Sequence, residues 1–175
     1  MSRLTSRVVS PLLVAAVVAG CASGPAVAGP GTPAPEFRAL RYPPLPAGIQ
    51  EVSGTMLAEH GGAEYAVAHV RRGDEEFLWL ERLVSRDAAG RPTWEVVDAL
   101  HLPARPEGYR LALGTCGRGV PAGQPESGLV AYVKGDADDR HWRDVSAAWQ
   151  ADPAAGTLAA VPREGVSCVN EGYGL

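Results

Sequence analysis

The sequence lacks an excess of positive charge. Sixteen Lys and Arg residues stand against 20 Asp and Glu residues, so the formal net charge of the 175-residue chain is −4. A chain without a basic stripe is poorly suited to neutralise a phosphate backbone, which argues against nucleic acid as a partner. The same deficit argues against electrostatic attachment to anionic lipid headgroups. Hydrophobic residues make up 46% of the chain, the usual share for a globular domain.

Short catalytic motifs are also missing. There is no G-x-S-x-G nucleophile elbow, and the four histidines show neither H-x₃-H nor H-E-x-x-H spacing. A hydrolase with a serine elbow and a zinc enzyme are therefore both disfavoured. Paired carboxylates for hydrolysis stay open, because the fold sets the distance between them. We expect no cofactor.

No apolar run is long enough to span a bilayer comfortably, which takes about 20 residues. The longest candidate, Val8–Ala19, is shorter and follows Arg3 and Arg7. A positive start, a short apolar stretch and small residues after it are typical of a secretory signal peptide.

The end of this stretch, Val18-Ala19-Gly20-Cys21, resembles the bacterial lipobox, in which small residues precede a lipid-bearing cysteine. The resemblance implies that residues 1–20 are a lipoprotein signal peptide and that Cys21 becomes the acylated first residue. Because Ala22 follows rather than Asp, it also implies an outer-membrane anchor in the bacterial cell envelope, facing the periplasm. Two alternatives stay open: a plain signal peptide cut after Ala22 or Ala26, and an uncleaved anchor.

Residues 21–49 join Cys21 to a Pro/Gly-rich stretch that contains seven prolines. Proline fixes φ and removes a backbone donor, so this stretch cannot form a continuous helix and favours extended backbone. We expect a tether over residues 21–49 and a single globular domain over residues 50–175.

Cysteine is scarce, with three in the chain. Lipidation of Cys21 leaves Cys116 and Cys168, and in an oxidising envelope their default state is an intrachain disulfide. The alternative is a catalytic Cys116 working with His101 or His141, which requires a free thiolate.

Alternating and β-rich segments predict a mainly β domain, built as an antiparallel sheet, a sandwich or a small barrel-like fold with one disulfide. Turn sequences rich in Gly, Pro and Asp separate the segments. On the segment that contains Asp98, alternation places Trp94, Val96 and Leu100 on one face, where this carboxylate is the exception. The predicted strands are Tyr65–Val70, Trp94–Leu100, Tyr109–Thr115, Leu129–Val133 and Thr157–Val161.

Two further segments fit either a helix or a strand. We favour a strand for Glu76–Asp87, ahead of a D-A-A-G turn. Arg140–Asp152 has apolar residues at helical spacing and stays open; a helix near 140–151 would make the fold α+β. We expect the tryptophans to be core residues rather than a sugar-binding platform, namely Trp79, Trp94, Trp142 and Trp149.

One acidic loop, GDADDRH, is a candidate metal site. Its potential ligands are Asp136, Asp138, Asp139 and His141, and clustered oxygens are what Ca²⁺ prefers. The loop does not match the EF-hand pattern, and a solvated acidic loop that protects a sheet edge explains it equally well. We therefore predict no metal, and keep these four residues as the candidates.

The region from Trp142 to Gly172, with the pattern W…AW..D…G…GVSC.NEG, resembles small uncharacterised lipoproteins of high-GC Gram-negative bacteria. That resemblance implies no activity and no catalytic residue. The leading hypothesis is a non-enzymatic binding or interaction module, held at the membrane by its lipid and contacting an envelope protein. The alternatives are a periplasmic hydrolase using carboxylates or histidines, and a purely structural lipoprotein.

Lipidation can be checked by intact mass spectrometry of the protein from its native envelope. We expect a chain that starts at Cys21 and carries acyl groups, because the lipobox resemblance places both cleavage and modification there. Globomycin, which inhibits the lipoprotein peptidase, should block processing. A mature form that starts elsewhere and carries no lipid would rule out the anchor.

Overall fold

The computed structural model describes residues 29–119 and 124–174. The predicted signal peptide and Cys21 lie outside the described residues. Among the described residues, no helix is long and apolar enough to cross a membrane. Strands dominate, with one short 3₁₀ helix at Pro35–Phe37. The strands are β1 Thr32–Pro33, β2 Arg41–Tyr42, β3 Ile49–Met56, β4 Tyr65–Arg72, β5 Glu75–Arg86, β6 Pro92–His101, β7 Arg110–Leu113, β8 Cys116–Arg118, β9 Leu129–Lys134, β10 His141–Trp142, β11 Asp144–Asp152, β12 Thr157–Val161 and β13 Val166–Val169.

These strands form three antiparallel sheets, which confirms the predicted mainly β class. The first sheet has the order β1-β6-β5-β4-β3, with β2 also paired to β6. The second has the order β12-β11-β9-β7, and the third has the order β10-β13-β8. The sheets keep open edges, so the domain is a layered sandwich and not a closed barrel.

The central core lies between the first and second sheets. Leu78 and Leu80 from β5 meet Tyr132 and Trp149 from the second sheet there. The outer faces of both sheets are also covered, which explains why Phe77–Leu80 and Leu129–Val133 are buried at every position. A continuous apolar run is typical of a strand that is buried on both sides.

The outer face of the first sheet is covered by the N-terminal segment, so the predicted boundary at residue 50 is too late. Phe37 is buried, and its ring centroid lies 5.0 Å from those of Phe77 and Trp79. Backbone hydrogen bonds join Ala34 and Ala39 to β6. Proline prevented a helix, as expected, but the apolar residues between the prolines dock on the sheet because burial of their surface is favourable.

The third sheet covers the outer face of the second. Cys116 on β8 and Cys168 on β13 are paired across neighbouring strands, with their Cα atoms 3.9 Å apart, and form the predicted disulfide. Both sulfurs are fully buried in the outer core of this side. The bond leaves Cys116 without the free thiolate that the catalytic alternative required.

Both ambiguous segments are strands. The first is β5, as favoured, and the segment near 140–151 forms β10 and β11 rather than a helix. Trp142 packs in the core beside the third sheet, whereas Trp149 packs in the central core. The two tryptophans lie on different strands in different sheets, β10 of the third and β11 of the second, so each packs in a different core.

A β-bulge in β6 changes which residues share a face. Glu81 pairs with Val96, Leu80 pairs with Asp98, and Val97 is skipped. One extra residue reverses the alternation of side chains. Val96 therefore belongs to the outer core and Leu100 to the central core, which corrects the prediction that these two residues share a face.

Asp98, beside this bulge, links three parts of the structure. Its Oδ1 accepts hydrogen bonds from Nε and Nη2 of Arg38 at 3.0 and 2.7 Å. Its Oδ2 accepts one from the backbone N–H of Leu158 on β12 at 2.8 Å. The carboxylate is nearly inaccessible to solvent, so these donors replace the water that it loses.

Replacement of this carboxylate should destabilise the domain. In Asp98→Asn the amide can no longer accept from Arg38 and Leu158 at once, so we expect the free energy of unfolding to fall by about 2–4 kcal/mol. Urea denaturation measures this change. Asp138→Asn, in an exposed loop, is the matched control and should stay within about 0.5 kcal/mol of wild type. Equal effects in the two variants would contradict the linking role of Asp98.

Candidate functional site

An open cavity of about 700 Å³ lies at one end of the first sheet. Three chain segments line it: Gly29–Thr32, Asp74–Glu76 and His101–Arg105. We call it the end cavity. Its walls combine apolar side chains from the loop after β6 with carboxylates from the turn before β5 and from the start of β5, so it offers both apolar and polar contacts.

Strand pairing brings these three segments together. Thr32 on β1 pairs with His101 at the end of β6, and His101 pairs with Phe77 on β5. Gly31 adopts a φ of +82°, and a Cβ built there would lie 3.0 Å from the carbonyl oxygen of His101. Only glycine accepts both the backbone conformation and this close approach without strain.

Four polar side chains lie together at and behind the cavity wall, and we call them the polar quartet. Glu76 and Arg105 line the cavity, whereas His69 and Tyr132 are buried behind it. Glu76 is central, because its Oε1 accepts a hydrogen bond from Arg105 Nη2 at 3.0 Å. Its Oε2 lies 3.4 Å from the Tyr132 hydroxyl and 3.7 Å from His69 Nε2. The Tyr132 hydroxyl donates to the carbonyl oxygen of Pro103 at 3.1 Å.

His69 stands out in the quartet because it is 5% exposed and its Nε2 has no hydrogen-bond partner among the described residues. Burial lowers the pKa of His69, although the negative charge of Glu76 acts in the opposite direction. The imidazole is therefore held in its neutral form. Buried polar atoms are nearly always satisfied in proteins, so this nitrogen, like Trp79 Nε1 and Ser146 Oγ, is an exception among the described residues.

Tyr132 is also held neutral. Burial raises the pKa of its hydroxyl, and the nearby charge of Glu76 raises it further. A neutral hydroxyl and a neutral imidazole flank the Glu76 carboxylate from behind the cavity wall. Glu76 and Arg105 are the members of the quartet that a ligand in the end cavity can contact.

A second buried carboxyl, Glu81, lies on the other face of the first sheet. It is 2% exposed and accepts a short hydrogen bond from the Tyr42 hydroxyl. A pocket of about 220 Å³ adjoins it, with Glu51 and Trp94 in its wall. Burial raises the pKa of Glu81 to about 7, the hydrogen bond from Tyr42 opposes that increase, and the charge of Glu51 adds to it.

The predicted metal candidates do not assemble into a site. Asp136, Asp139 and His141 line one open depression together with Lys134, Arg140 and Arg143, whereas Asp138 is not in its wall. The described residues contain no group of three or more His, Cys, Asp or Glu that could hold a metal ion. Three cationic side chains in the same depression also oppose a bound cation.

The exposed surface of the described residues carries few large apolar side chains. The large exposed hydrophobic side chains of the described residues are Val52, Met56, Val84 and Tyr173. Three of the four tryptophans are buried, and Trp94 is partly buried against the outer core, which confirms the expectation that they are core residues. The end cavity is therefore the stronger candidate site.

Sequence patterns did not identify His69, Glu76 or Glu81 as site residues. Glu81 carried one usable signal, because it continues the fully apolar run Phe77–Leu80 and shares a face with Trp79. The quartet carried none, since its members are up to 63 positions apart along the chain, from His69 to Tyr132. Only the pairing of strands brings them together.

The raised pKa of Glu81 predicts how stability depends on pH. Between about pH 4.5 and 7 the folded state keeps a proton that the unfolded state has lost, so stability falls as pH rises and is level above that range. The loss attributable to Glu81 is about 3 kcal/mol. Urea denaturation across this range gives the free energies of unfolding of wild type and of Glu81→Gln. The difference between the two values isolates the effect of Glu81. Glu59→Gln, in an exposed loop, is the control; a difference independent of pH would contradict the prediction.

The end cavity, with Glu76 and Arg105 in its wall, is thus the candidate site in the described part of the chain. Comparison with protein-family models, curated proteins and solved structures finds nothing that matches this chain. The function therefore has to be argued from the geometry of the site itself.

Proposed function

We propose that this protein is a non-enzymatic binding module of the bacterial cell envelope and that the end cavity is its ligand site. The observation that carries the proposal is a cavity of about 700 Å³ whose wall holds apolar surface beside the paired Glu76 and Arg105. A volume of this size is within the range of small-molecule sites. A ligand in the cavity would contact Glu76 and Arg105 directly.

The composition of the walls supports ligand binding. Leu102, Pro103 and Ala104 provide apolar surface, and Glu76 and Arg105 provide charged groups. Ligand sites commonly combine a mostly apolar lining with a few polar groups that fix orientation. The pairing of Glu76 with Arg105 at 3.0 Å holds the carboxylate in place before a ligand arrives.

The position of the cavity fits a membrane-anchored role. Its mouth includes Gly29, eight residues after Cys21, so an extended chain would separate them by at most about 28 Å. If Cys21 carries lipid, ligand binding occurs close to the membrane surface, where an envelope protein partner could deliver or receive the ligand. The anchor and the partner belong to this proposal.

A ligand screen with a cavity-blocking variant tests the function. We expect ¹H–¹⁵N NMR spectra of the full chain to show shifts at Thr32, Glu76 and Arg105 with some members of a fragment library of small amines, carboxylates, phosphates and sugars. Ala104→Trp should abolish these shifts, because an indole at this exposed position would fill the cavity. Ala89→Trp, in an exposed turn away from the cavity walls, should leave them unchanged.

The outcomes separate this proposal from its alternatives. No shift at the cavity with any fragment class would refute the binding function and favour a structural lipoprotein. Turnover of a fragment, seen as new signals that depend on the protein, would support a hydrolase that uses carboxylates or histidines.

A further inference from the structure

A second pocket, of about 220 Å³, lies beside the free edge of the first sheet, and we call it the edge pocket. Each of the strands β2–β6 contributes to its wall. It shares no wall residue with the end cavity. A site here therefore goes beyond the function proposed above and does not rest on it.

Small residues keep a path open from the edge strand β3 to Glu81. Ala66 pairs with Met56 on one side and with Glu81 on the other, so it separates the carboxyl from the edge. Gly54 and Ala68 pair in the neighbouring row of the same face. At most one methyl group stands at each of these three small positions, and the edge pocket occupies the space that they leave.

Glu81 lies in the wall of this pocket and keeps unused capacity to accept hydrogen bonds. The residue is 2% exposed. Its Oε1 accepts from the Tyr42 hydroxyl, which is the one hydrogen bond to this carboxyl from the described residues. An ionised carboxylate has about four acceptor sites, and a buried one is costly when they are unfilled. Its Oε2 therefore calls for a donor from within the pocket.

The wall of the edge pocket holds two carboxylates and no basic side chain. The second carboxylate is Glu51, whose Oε1 lies 3.4 Å from the position that a Cβ on Gly54 would take. The arginines of the first sheet and of the N-terminal segment docked on it are all bonded elsewhere: Arg38 to Asp98, Arg41 and Arg82 to Glu95, Arg71 to Gln50, Arg72 to Glu75 and Arg86 to Glu64.

From these contacts we propose that the edge pocket binds a small organic cation through its ammonium group. The ammonium would donate to Oε2 of Glu81, with Glu51 as a second negative charge in the same wall. A charge-assisted hydrogen bond of this kind is about twice as strong as a neutral one. A short alkyl chain would pack on Met56 and Trp94, and the small volume limits that chain to a few carbons.

Ionisation of Glu81 should control this binding. Burial raises the pKa of Glu81 to about 7. The groups that face it are the Tyr42 hydroxyl, held neutral because burial raises its pKa, the like charge of Glu51, and the apolar Ala66 and Val96. A primary amine stays protonated between pH 6 and 8. The dissociation constant should therefore be about tenfold lower at pH 8 than at pH 6, which is the ratio of the ionised fractions of Glu81.

A matched series of three-carbon compounds tests the ligand class. Propylamine, propan-1-ol and propanoate share an alkyl chain and differ in the charge of the head group. The methyl signal of Met56, one of two methionines in the chain, reports binding in a ¹H–¹³C NMR titration of the full chain. At pH 8 we expect a dissociation constant for propylamine at least tenfold lower than for propan-1-ol, and no shift with propanoate. Tenfold is the scale of one charge-assisted hydrogen bond.

Variants assign the selectivity to Glu81. Glu81→Gln should weaken propylamine binding at pH 8 at least tenfold and remove its dependence on pH. Glu59→Gln removes the same charge at an exposed position outside the pocket wall and should change neither. The selectivity and the pH profile of the wild-type protein are measured without any variant, so the test stands even if Glu81→Gln does not fold.

A free amine and a lysine side chain of an envelope partner carry the same ammonium group. N-acetyl-lysine methylamide in the same titration distinguishes these two sources. Binding at least as tight as that of propylamine identifies a lysine of a protein partner, and weaker binding identifies a free amine. Either result supports the ammonium inference.

Three outcomes would overturn the inference: no shift of Met56 with propylamine at pH 8, equal or tighter binding of propan-1-ol or propanoate, or wild-type affinity for propylamine in Glu81→Gln. None of them bears on the end cavity, whose binding is read at Thr32, Glu76 and Arg105. A failed fragment screen at the end cavity likewise leaves the edge pocket untouched.

Discussion

One buried carboxylate, Asp98, connects the layers of this domain. It joins Arg38 of the N-terminal segment to β6, and it satisfies the backbone N–H of Leu158 on β12 of the second sheet. The bulge beside Asp98 lets this one side chain bond both to the N-terminal segment and to β12. A buried charge must be paired to be tolerated. The docking of the N-terminal segment on β6 and the contact between β6 and β12 therefore depend on each other, because both provide donors to the same carboxylate.

Coverage of both outer faces explains how so many strands stack without an α-helix among the described residues. The N-terminal segment covers the first sheet, and the disulfide-linked third sheet covers the second. Each layer converts a half-buried sheet into a fully buried one and so adds apolar area removed from water. Close contact follows: a Cβ at Gly135 would lie 1.9 Å from Trp142, so only glycine fits there.

Polar groups buried at the edges of these cores cost stability and mark where the fold departs from simple packing. Glu81 is held beside Tyr42, and Glu76 is held beside Arg105 and Tyr132, while His69 keeps one nitrogen unpaired. A sequence selected for packing alone would place apolar residues at these positions. Departures of this kind are expected at functional sites, which is why the end cavity carries the proposed function.

The sequence alone determined the mainly β class, the disulfide between Cys116 and Cys168, and most strands, because alternation, turn residues and cysteine chemistry are local or countable signals. Tertiary structure decided the rest. The segment near 140–151 forms strands because both of its faces are buried. The supposed tether packs on the first sheet through the apolar residues between its prolines. The bulge at Val97 divides the side chains of β6 between two cores. The candidate site depends on strand pairing between residues far apart in the chain, and no local pattern records which residues such pairing brings into contact.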